Sequence, residues 1–423
     1  MYSRLLLAFA ATPVIVQVLA DSSSFDHVAY RFEAGSSLSS TISICPNEPT
    51  QLMVRGEDNC PVELPIPNPE YYPWDSAPKC LNSSDFCLYT SSSFASGRGI
   101  SIITTQSTAA SLASIPIFAT KQPPVYPPKG HNLYYEFDFP GRGRGVIANT
   151  TFHRGDLIFS HTPLLLLDEE MFEGTSKMER NSVAKQAVDA LPPAARELFY
   201  SQAGHFGTDP VEDRIRTNGF AIKLGGRTHG ALVPEAARLN HECRPNARYA
   251  LDASSLTHRA HATRTIRPGE ELTFSYINEN QPWASRQAHL RSHWGFQCKC
   301  NHCSLPKKQR KESDARIADI NLLNMELNTL WSPTIPDLAV ELVELCQAEG
   351  LHASMEKAYM MTALRFCAWE DEENTRKYAK LAVESWLAWE KQELASKEIM
   401  RAMEKDPKNA WCWGKVWEGG EEF

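Results

Sequence analysis

The alternation of apolar and polar positions predicts several short β-strands in the middle of the chain. Residues 134–139 alternate as a strand does, and residues 270–276 form a second alternating run that ends on a tyrosine. Short apolar runs at residues 157–159 and 164–167 are further strand candidates, and residues 101–105 could form one more. Elsewhere in the chain the apolar spacing changes to that of helices.

Helical spacing appears in two places. Residues 182–200 have it, with an interruption at Pro192 and Pro193, and residues 315–404 have it more extensively. The apolar positions that define the later helices are Leu338, Leu342 and Leu345, then Tyr378, Leu381, Ala382, Ser385, Trp386 and Trp389. Such an aromatic stripe is far more often core than a binding site, and no clean repeat is visible, so a helical bundle is predicted. No role is assigned to the tryptophans near the end, Trp411, Trp413 and Trp417.

Length and charge limit the classes of function. The 423 residues allow two or three domains, and 42% hydrophobic residues are more than enough for a core. The net charge is −8 and the pI is near 5.9, so no broad basic field exists and direct nucleic-acid binding is not expected. A short basic run at residues 307–311 is typical of a solvated linker, with a nuclear-localisation signal as the alternative.

The first 128 residues look like a secretory segment. Residues 1–20 have one arginine, an apolar stretch and a small-residue cleavage site, which is typical of a signal peptide; a signal anchor is the alternative. Residues 21–128 are rich in Ser, Thr and Pro and contain Cys45, Cys60, Cys80 and Cys87, which predict two disulfides in one of three pairings.

Other features of this segment leave its structure open. Asn82 and Asn149 lie in glycosylation sequons, the second of them beyond the segment. The proline-rich residues 121–128 predict a stiff linker and a domain boundary. A poorly packed extension is an equally good interpretation of residues 21–128. No later stretch is long and apolar enough to span a bilayer.

Four cysteines in the second half suggest a metal site. Cys298, Cys300 and Cys303 supply three thiolates, which leaves a tetrahedral zinc ion one ligand short. Cys243 is the nearest candidate for the fourth ligand, and a site closed by four sulfurs would be structural. The alternatives are reduced, partly buried cysteines or a disulfide pair.

Three motifs carry a resemblance to a known family. RLNHECRPN at residues 238–246 resembles the R-F/L-x-N-H-x-C-x-P-N motif of SET-domain protein lysine methyltransferases. EELTFSY at residues 270–276 and WGFQCKCNHC at residues 294–303 resemble that family's G-E-E-L-x-x-x-Y and post-SET cysteine motifs. Residues 216–220 resemble the R-T-N-x-F segment of the SET-and-MYND subfamily. The MYND finger is absent, because the chain has no cysteine between Cys87 and Cys243.

The resemblance implies an α+β fold of short sheets with an all-α tail. The implied parts are a SET domain at residues 129–276, a helical insert at about 168–215, a zinc-bound post-SET segment at 277–306 and a tetratricopeptide-like region at 311–423. In this family the Asn-His-x-Cys cysteine joins the post-SET triplet on zinc, which implies a structural Zn²⁺ on Cys243, Cys298, Cys300 and Cys303. The insert and the tail would shape the substrate groove.

The resemblance also implies S-adenosylmethionine as the cofactor. The implied cofactor-binding residues are Gly143, Arg144, Gly145, Asn218, Asn240, His241 and Phe296. Tyr276 would be the catalytic residue and would orient the amine, because a phenol is a poor base at neutral pH. Asn246 is expected to tie the crossing loops together. Read singly, each residue has a plainer interpretation, such as a turn asparagine, a strand tyrosine or a core phenylalanine.

The resemblance thus implies a protein lysine N-methyltransferase that acts on a histone or non-histone substrate. The alternatives are an inactive SET-fold adaptor and a secreted, disulfide-linked protein. A chaperone or adaptor could contact the helical tail. The localisation signals conflict, since the signal peptide suggests the secretory pathway and the family suggests the nucleus or cytoplasm. The sequence does not name the substrate.

Overall fold

The computed structural model describes most of the chain after residue 52. The described residues are 53–56, 59–63, 70–119, 132–253, 255–328, 335–385 and 391–415. Several features named above lie outside the described residues: the predicted signal peptide, the proline-rich linker, Cys45, Trp386, Trp389, Trp417 and the side chain of Cys60. Among the helices of the described residues, none is both long and apolar enough to cross a membrane.

Fifteen strands are present in the described residues. The first five are β1 Met53–Gly56, β2 Asn59–Glu63, β3 Lys79–Cys80, β4 Phe86–Ser91 and β5 Ile100–Thr105. The next five are β6 Tyr134–Phe139, β7 Gly143–Ala148, β8 Leu157–His161, β9 Leu165–Asp168 and β10 Gly219–Leu224. The last five are β11 Arg227–Leu232, β12 Asn240–His241, β13 Ala247–Asp252, β14 Thr257–Ala262 and β15 Glu271–Phe274. The strands predicted from the apolar pattern are confirmed.

The helices fall into three groups along the chain. The first group is α1 Phe94–Gly97, α2 Gln106–Ala113 and α3 Pro116–Ala119. The predicted insert contains α4 Met171–Gly174, α5 Lys177–Asp189, α6 Pro193–Tyr200 and α7 Pro210–Asn218, and α8 Trp283–Trp294 follows the last strand. The tail contains α9 Lys307–Leu327, α10 Pro336–Glu349, α11 Met355–Ala368, α12 Glu372–Ser385 and α13 Lys391–Lys405.

A six-stranded sheet joins the N-terminal segment to the rest of the fold. Its strand order is β10-β11-β9-β5-β4-β3, and β5 pairs in parallel with β9, with Ser101 opposite Leu165. Ile102 and Ile103 in β5 are fully buried. The interpretation of residues 21–128 as a poorly packed extension is therefore wrong for residues 70–119, and the sheet crosses the boundary predicted near residue 128.

The hydroxyl groups of Ser101 and Thr104 in β5 have hydrogen-bond partners inside the fold. Ser101 Oγ donates a 2.7 Å hydrogen bond to the Ala187 carbonyl, and Thr104 Oγ1 lies 2.9 Å from His229 Nε2. A buried hydroxyl is tolerated when it has such a partner. Cys80 and Cys87, which pair across the β3–β4 hairpin, form one disulfide of the predicted set.

Two smaller sheets carry the motif residues. One has the order β12-β15-β7-β6, with β12 parallel to β15 and Asn240 opposite Thr273. The other has the order β13-β14-β8. The core between them is formed by apolar side chains that include Phe159, Ile266 and Phe274. This arrangement brings residues 240–246 and 271–276 into contact.

The tail is a helical bundle with a core of its own, as predicted. Leu342 is buried, and Leu338 and Leu345 pack against the same cluster. The basic run at residues 307–311 forms the first turns of α9 and is not a linker. A disulfide that the sequence did not predict joins Cys367 to Cys412. The tetratricopeptide-like character of the tail stays a prediction.

Candidate functional site

Asn246 joins two chain segments, residues 240–246 and residues 271–276, where they cross. Its Oδ1 accepts a 2.9 Å hydrogen bond from the Thr273 amide, and its Nδ2 donates 2.8 Å to the Glu271 carbonyl. Asn246 is 3% exposed, so these bonds are shielded from water. The predicted role of Asn246 in tying the crossing loops together is confirmed.

Asn240 and Gly145 meet at the centre of the four-stranded sheet. Asn240 is buried, and its Nδ2 donates a 2.6 Å hydrogen bond to Glu271 Oε1. A Cβ on Gly145 would lie 2.5 Å from that Nδ2 and 2.8 Å from Glu271 Oε1. Glycine is therefore required at residue 145 by close approach. Glu271, which the motif analysis did not select, orients the Asn240 amide.

Gly143 and Arg144, the other two residues of the glycine-rich segment 143–145, have structural roles. Gly143 has a φ of +69° at the start of β7, which favours glycine. The Arg144 side chain pairs with Glu136 at 3.1 Å and Asp138 at 3.3 Å, both on the neighbouring strand β6. The main chain of these residues lies beside Asn240, but the Arg144 guanidinium is used within the sheet.

His241 links the candidate cofactor wall to the cysteine cluster. Its Nδ1 accepts a 3.0 Å hydrogen bond from the Tyr276 amide, so the neutral ring carries its proton on Nε2. Nε2 lies 3.3 Å from Cys243 Sγ and donates to it. Burial lowers the pKa of His241 to about 3, which keeps the ring neutral.

Tyr276 lies against the same segment through its side chain. Its hydroxyl donates a 2.7 Å hydrogen bond to the Leu239 carbonyl. The ring is stacked on Trp294 at 5.7 Å and lies 5.3 Å from the His241 ring. Because the hydroxyl proton is used by Leu239, the oxygen keeps lone pairs that can accept a hydrogen bond from an amine.

Asn218 presents a buried acceptor. It is 2% exposed, and its Nδ2 donates to the Ala203 carbonyl at 3.0 Å and the Arg214 carbonyl at 2.8 Å. Its Oδ1 is buried and has no hydrogen-bond partner among the described residues. A buried carbonyl oxygen without a partner is costly, so this atom fits a ligand that brings a donor.

A cavity of about 1210 Å³ lies beside these residues. Asn240, His241 and Phe296 line it, and the Phe296 ring is 6.1 Å from the His241 ring. Its volume is ample for a nucleoside-sized ligand. The cavity lining does not include five of the predicted site residues, which are Gly143, Arg144, Gly145, Asn218 and Tyr276. Tyr276 and Gly145 adjoin it through His241 and Asn240.

The four predicted zinc ligands come together. The sulfurs of Cys243, Cys298, Cys300 and Cys303 all lie within 4.8 Å of one another, and none of the four forms a disulfide. In a tetrahedral site with Zn–S bonds of about 2.3 Å the sulfurs are roughly 3.8 Å apart, so this cluster could hold zinc. Cys243 is fully buried, which fits a closed structural site and not an open catalytic one.

Helix α8 fixes the cysteine loop. Gln287 donates 2.9 Å to the Cys298 carbonyl and accepts 3.1 Å from the Cys298 amide. Trp283 Nε1 donates 3.1 Å to the Cys303 carbonyl. The loop is thus held in shape by hydrogen bonds outside the sulfur cluster, which is typical of metal sites.

The motif analysis missed a loop that borders the aromatic side of the site. Phe206 packs in one cluster with Tyr276, Trp294 and Phe296. Asp213 accepts hydrogen bonds of 2.7 to 3.0 Å from the amides of residues 205–207. Burial alone would raise the pKa of Asp213, but these hydrogen bonds hold it below its ordinary value. The only sequence signal was the pair of glycines, Gly204 and Gly207.

A second cavity of about 860 Å³ lies between the sheets and the tail. Strand residues Tyr249 and Phe274 line one side, and Glu356 on α11 lines the other. Glu279 is also in its wall, and burial raises its pKa to about 7 against the lowering effect of Arg244 and Arg248. The tail therefore forms one side of this cleft, and its use as a substrate groove stays a prediction.

Comparison with known proteins identifies the family of the central region. A family model described as the SET domain matches residues 143–277. Those residues form a SET domain. The match covers the glycine-rich strand β7, Asn218, the Asn240–Asn246 segment and Tyr276, so the resemblance to the SET domain is confirmed. The post-SET cysteine motif at residues 294–303 lies outside the match and stays a prediction.

The chain is also similar to named lysine methyltransferases. It is 29% identical over 192 residues to the histone-lysine N-methyltransferase set5 of Schizosaccharomyces pombe, covering 44% of this chain and 54% of that protein. It is 31% identical over 131 residues to the human N-lysine methyltransferase SMYD2, covering 29% of each. It is 35% identical over 156 residues to SET5 of Candida glabrata, covering 36% of this chain and 29% of that protein. The chain thus matches about half the length of the first relative and under a third of the others.

Proposed function

We propose that the chain is an S-adenosylmethionine-dependent protein lysine N-methyltransferase. The observation that carries the proposal is the placement of Tyr276. Its hydroxyl donates to Leu239 and its amide donates to His241, so the phenol is fixed against the segment that lines the 1210 Å³ cavity. The relatives named as lysine methyltransferases support the same activity.

The residues fit the cofactor. S-adenosylmethionine, when bound, supplies a methyl group that its sulfonium has already activated. The partnerless Asn218 Oδ1 would accept a hydrogen bond from its ammonium group, and the Phe296 ring would pack against its adenine. The absence of a side chain at Gly145 allows β7 to approach Asn240 closely.

The chain's own residues would mainly align and desolvate the substrate amine. A lysine ammonium cannot attack until it loses its proton, and burial favours the neutral amine. The Tyr276 oxygen would accept a hydrogen bond from that amine and hold its lone pair in line with the methyl group. The oxygen would also favour the partial positive charge that develops on the methyl group.

We also propose that the cysteine cluster binds one structural Zn²⁺. Four thiolates close the coordination sphere, so the ion would take no part in the chemistry. Its role would be to hold residues 298–303, and with them Phe296, against the Asn240–Cys243 segment. The His241 Nε2–H donated to Cys243 would stabilise the charge on that thiolate.

The substrate would be a lysine-containing protein segment in the cleft between the sheets and the tail. Phe274 and Ser275, which directly precede Tyr276, line this cleft, and its charged lining is mixed, with Glu279 and Glu356 beside Arg248 and Lys357. Two relatives are named for histone-lysine and one for N-lysine methylation, so the first peptides to test are histone tails, followed by non-histone peptides.

The test is transfer of a labelled methyl group from S-adenosylmethionine to arrays of lysine peptides. We expect transfer that is lost when the acceptor lysine is replaced by arginine. Tyr276→Phe should lower the turnover by about 100-fold, because alignment is worth that much when a reacting group moves by 1 Å. Tyr200→Phe, at an exposed tyrosine on α6, is the matched control and should keep full activity. Cofactor binding without transfer to any peptide would contradict the proposal and favour the adaptor interpretation.

A further inference from the structure

A buried carboxylate in the tail contacts the segment that carries the site. Glu349 is the last residue of α10, and its side chain is fully buried. Its carboxylate accepts hydrogen bonds from Arg244 Nη2 at 2.8 Å, Arg316 Nε at 2.7 Å and Ser313 Oγ at 2.9 Å. Arg316 and Ser313 belong to the tail, but Arg244 directly follows the zinc-ligand candidate Cys243.

Arg244 connects this carboxylate to the Asn240–Cys243 segment. Its Nε donates 2.7 Å to the Glu349 carbonyl, while Nη1 donates 2.6 Å to the Cys243 carbonyl and 3.1 Å to the Glu279 carbonyl. The side chain is only 9% exposed, so solvent screens these contacts weakly. One planar guanidinium thus fixes the tail relative to the main chain of the site.

Two further arginines of the SET region donate hydrogen bonds to the turn between α10 and α11. Arg248 Nη1 donates 3.1 Å to Glu356, and Arg154 donates to the His352 carbonyl at 3.0 Å. Gly350 and His352 line the 1210 Å³ cavity, whereas Ala353 and Glu356 line the 860 Å³ cleft. This turn, residues 349–356, is therefore a shared wall of both cavities.

We propose that Glu349 is a positioning residue for the cofactor pocket and acts through Arg244 on the Asn240–Cys243 segment. Loss of the carboxylate charge leaves Arg244 as a buried cation without its hydrogen-bonded counterion. The guanidinium then turns toward solvent and releases the Cys243 carbonyl, which loosens Asn240 and His241. The tail is by this account part of the cofactor site and not an independent arm. The choice of S-adenosylmethionine as the ligand rests on the proposed function.

A purely structural role of Glu349 makes a different prediction, and Arg316 separates the two. Arg316 contacts the same carboxylate at 2.7 Å but lies on α9, and its hydrogen bond goes to Glu349 and not to the Asn240–Cys243 segment. Arg316→Met therefore weakens the same buried pair from the tail side only. Both Glu349→Gln and Arg316→Met should lower the thermal midpoint.

The experiment measures two quantities on the full chain for the parent, Glu349→Gln and Arg316→Met. The first is the calorimetric affinity for S-adenosylmethionine. We expect Glu349→Gln to weaken it by about tenfold, the equivalent of one charge-assisted hydrogen bond, and Arg316→Met to stay within about twofold. The second, which needs no ligand, is hydrogen exchange at residues 239–246. Exchange there should rise in Glu349→Gln and stay unchanged in Arg316→Met.

Glu349→Asp covers the case in which Glu349→Gln does not fold, because it keeps the charge and should restore part of both readouts. The proposal is overturned if a folded Glu349 variant keeps parental affinity and parental exchange at residues 239–246, or if Arg316→Met changes both equally. A parent chain that does not bind S-adenosylmethionine would count against the proposed function alone. The exchange measurement would still decide the role of Glu349.

Discussion

The six-stranded sheet and the cysteine crossing are stabilised by different forces. Strands β5 and β9 bury Ile102, Ile103 and Leu166 completely, and apolar clusters cover both faces of the sheet. The crossing of residues 240–246 with residues 271–303 has a small core in which buried cysteines stand beside Leu290 and Trp294. The first region is held by apolar burial, whereas the second depends on oriented hydrogen bonds and on the proposed zinc ion.

This difference suggests that the sheet mainly supplies stability and that the crossing mainly supplies the cofactor wall. The sheet can lose a polar group and keep its fold, since its stability is spread over many apolar contacts. Apart from Leu272 and Phe274, which belong to the core between the two smaller sheets, the crossing has few such contacts. Single polar groups therefore decide whether the cofactor wall is held in shape.

The largest effect is expected when the N-terminal strands are removed. A chain of residues 120–423 lacks β3, β4 and β5, which exposes the edge of β9 and its run of buried leucines. We expect it to aggregate, whereas a chain of residues 70–423 should fold. Circular dichroism and size-exclusion chromatography measure the outcome. A monomeric, cooperatively melting 120–423 chain would show that the sheet does not need these strands.

Metal removal should affect the crossing and spare the sheet. Treatment with a zinc chelator is expected to abolish cofactor binding and to raise hydrogen exchange at residues 296–303, with little change in β4 and β5. Cys243→Ser should mimic chelation. Cys346→Ser, at a buried cysteine outside the cluster, is the control and should retain the metal. Equal loss of protection in both regions would mean that they unfold as one unit.

Two alanine substitutions, one in the six-stranded sheet and one in the crossing, compare the two regions at single side chains. Ile102→Ala removes a fully buried side chain and should lower the free energy of unfolding by about 2–5 kcal/mol, with cofactor affinity unchanged. Phe296→Ala removes a half-buried ring from the cavity wall and should do the reverse, weakening cofactor binding with a smaller loss of stability. Denaturant melts and calorimetry measure both. If both variants lose stability and cofactor affinity in the same proportion, the sheet and the crossing do not have separate roles.

The smallest effect concerns a buried histidine of the three-stranded sheet. His258 is fully buried among aromatic rings that include Tyr249 and Phe274, and burial, with His161 nearby, lowers its pKa to about 3. Because the unfolded chain takes up a proton near pH 6.5 and the folded chain does not, stability should fall as the pH drops below 6.5. Between pH 7.5 and pH 5 the loss is about 2 kcal/mol.

His258→Phe removes this titration and supplies the control for it. Its free energy of unfolding should fall by about 2 kcal/mol less than that of the parent over the same pH range. Denaturant melts at several pH values measure the difference. Parallel pH profiles of the two proteins would show that His258 is already protonated, or reaches water, in the folded state.

Motifs predicted the crossing well because its chemistry requires particular residues at particular spacings. Cys243 and the later triplet could be brought together from sequence, and so could Asn246 and the loops it joins. The strand at residues 101–105 was predicted, but its place in the six-stranded sheet was not, since Ser101 and Thr104 are hydrogen-bonded to Ala187 and His229. Those partners are distant in sequence and follow no local period.

Other parts of the site were hidden for the same reason. Glu271 lies in the motif at residues 270–276, but its hydrogen bond to Asn240 follows no residue spacing. The same is true of Asp213, which orients the 205–207 loop. Glu349 contacts Arg244 across 105 positions of the chain. Pairings of this kind are decided by tertiary packing, which a single sequence does not display.

The most direct test of the central claim is calorimetric titration of the full, zinc-loaded chain with S-adenosylmethionine, beside Asn218→Ala and Asn181→Ala. The Asn218 oxygen is a buried acceptor without a partner among the described residues, and Asn181 is a part-buried asparagine on α5. The account predicts binding by the parent, a loss of affinity of about tenfold or more in Asn218→Ala, and parental affinity in Asn181→Ala. No binding by the folded, zinc-loaded parent would contradict it.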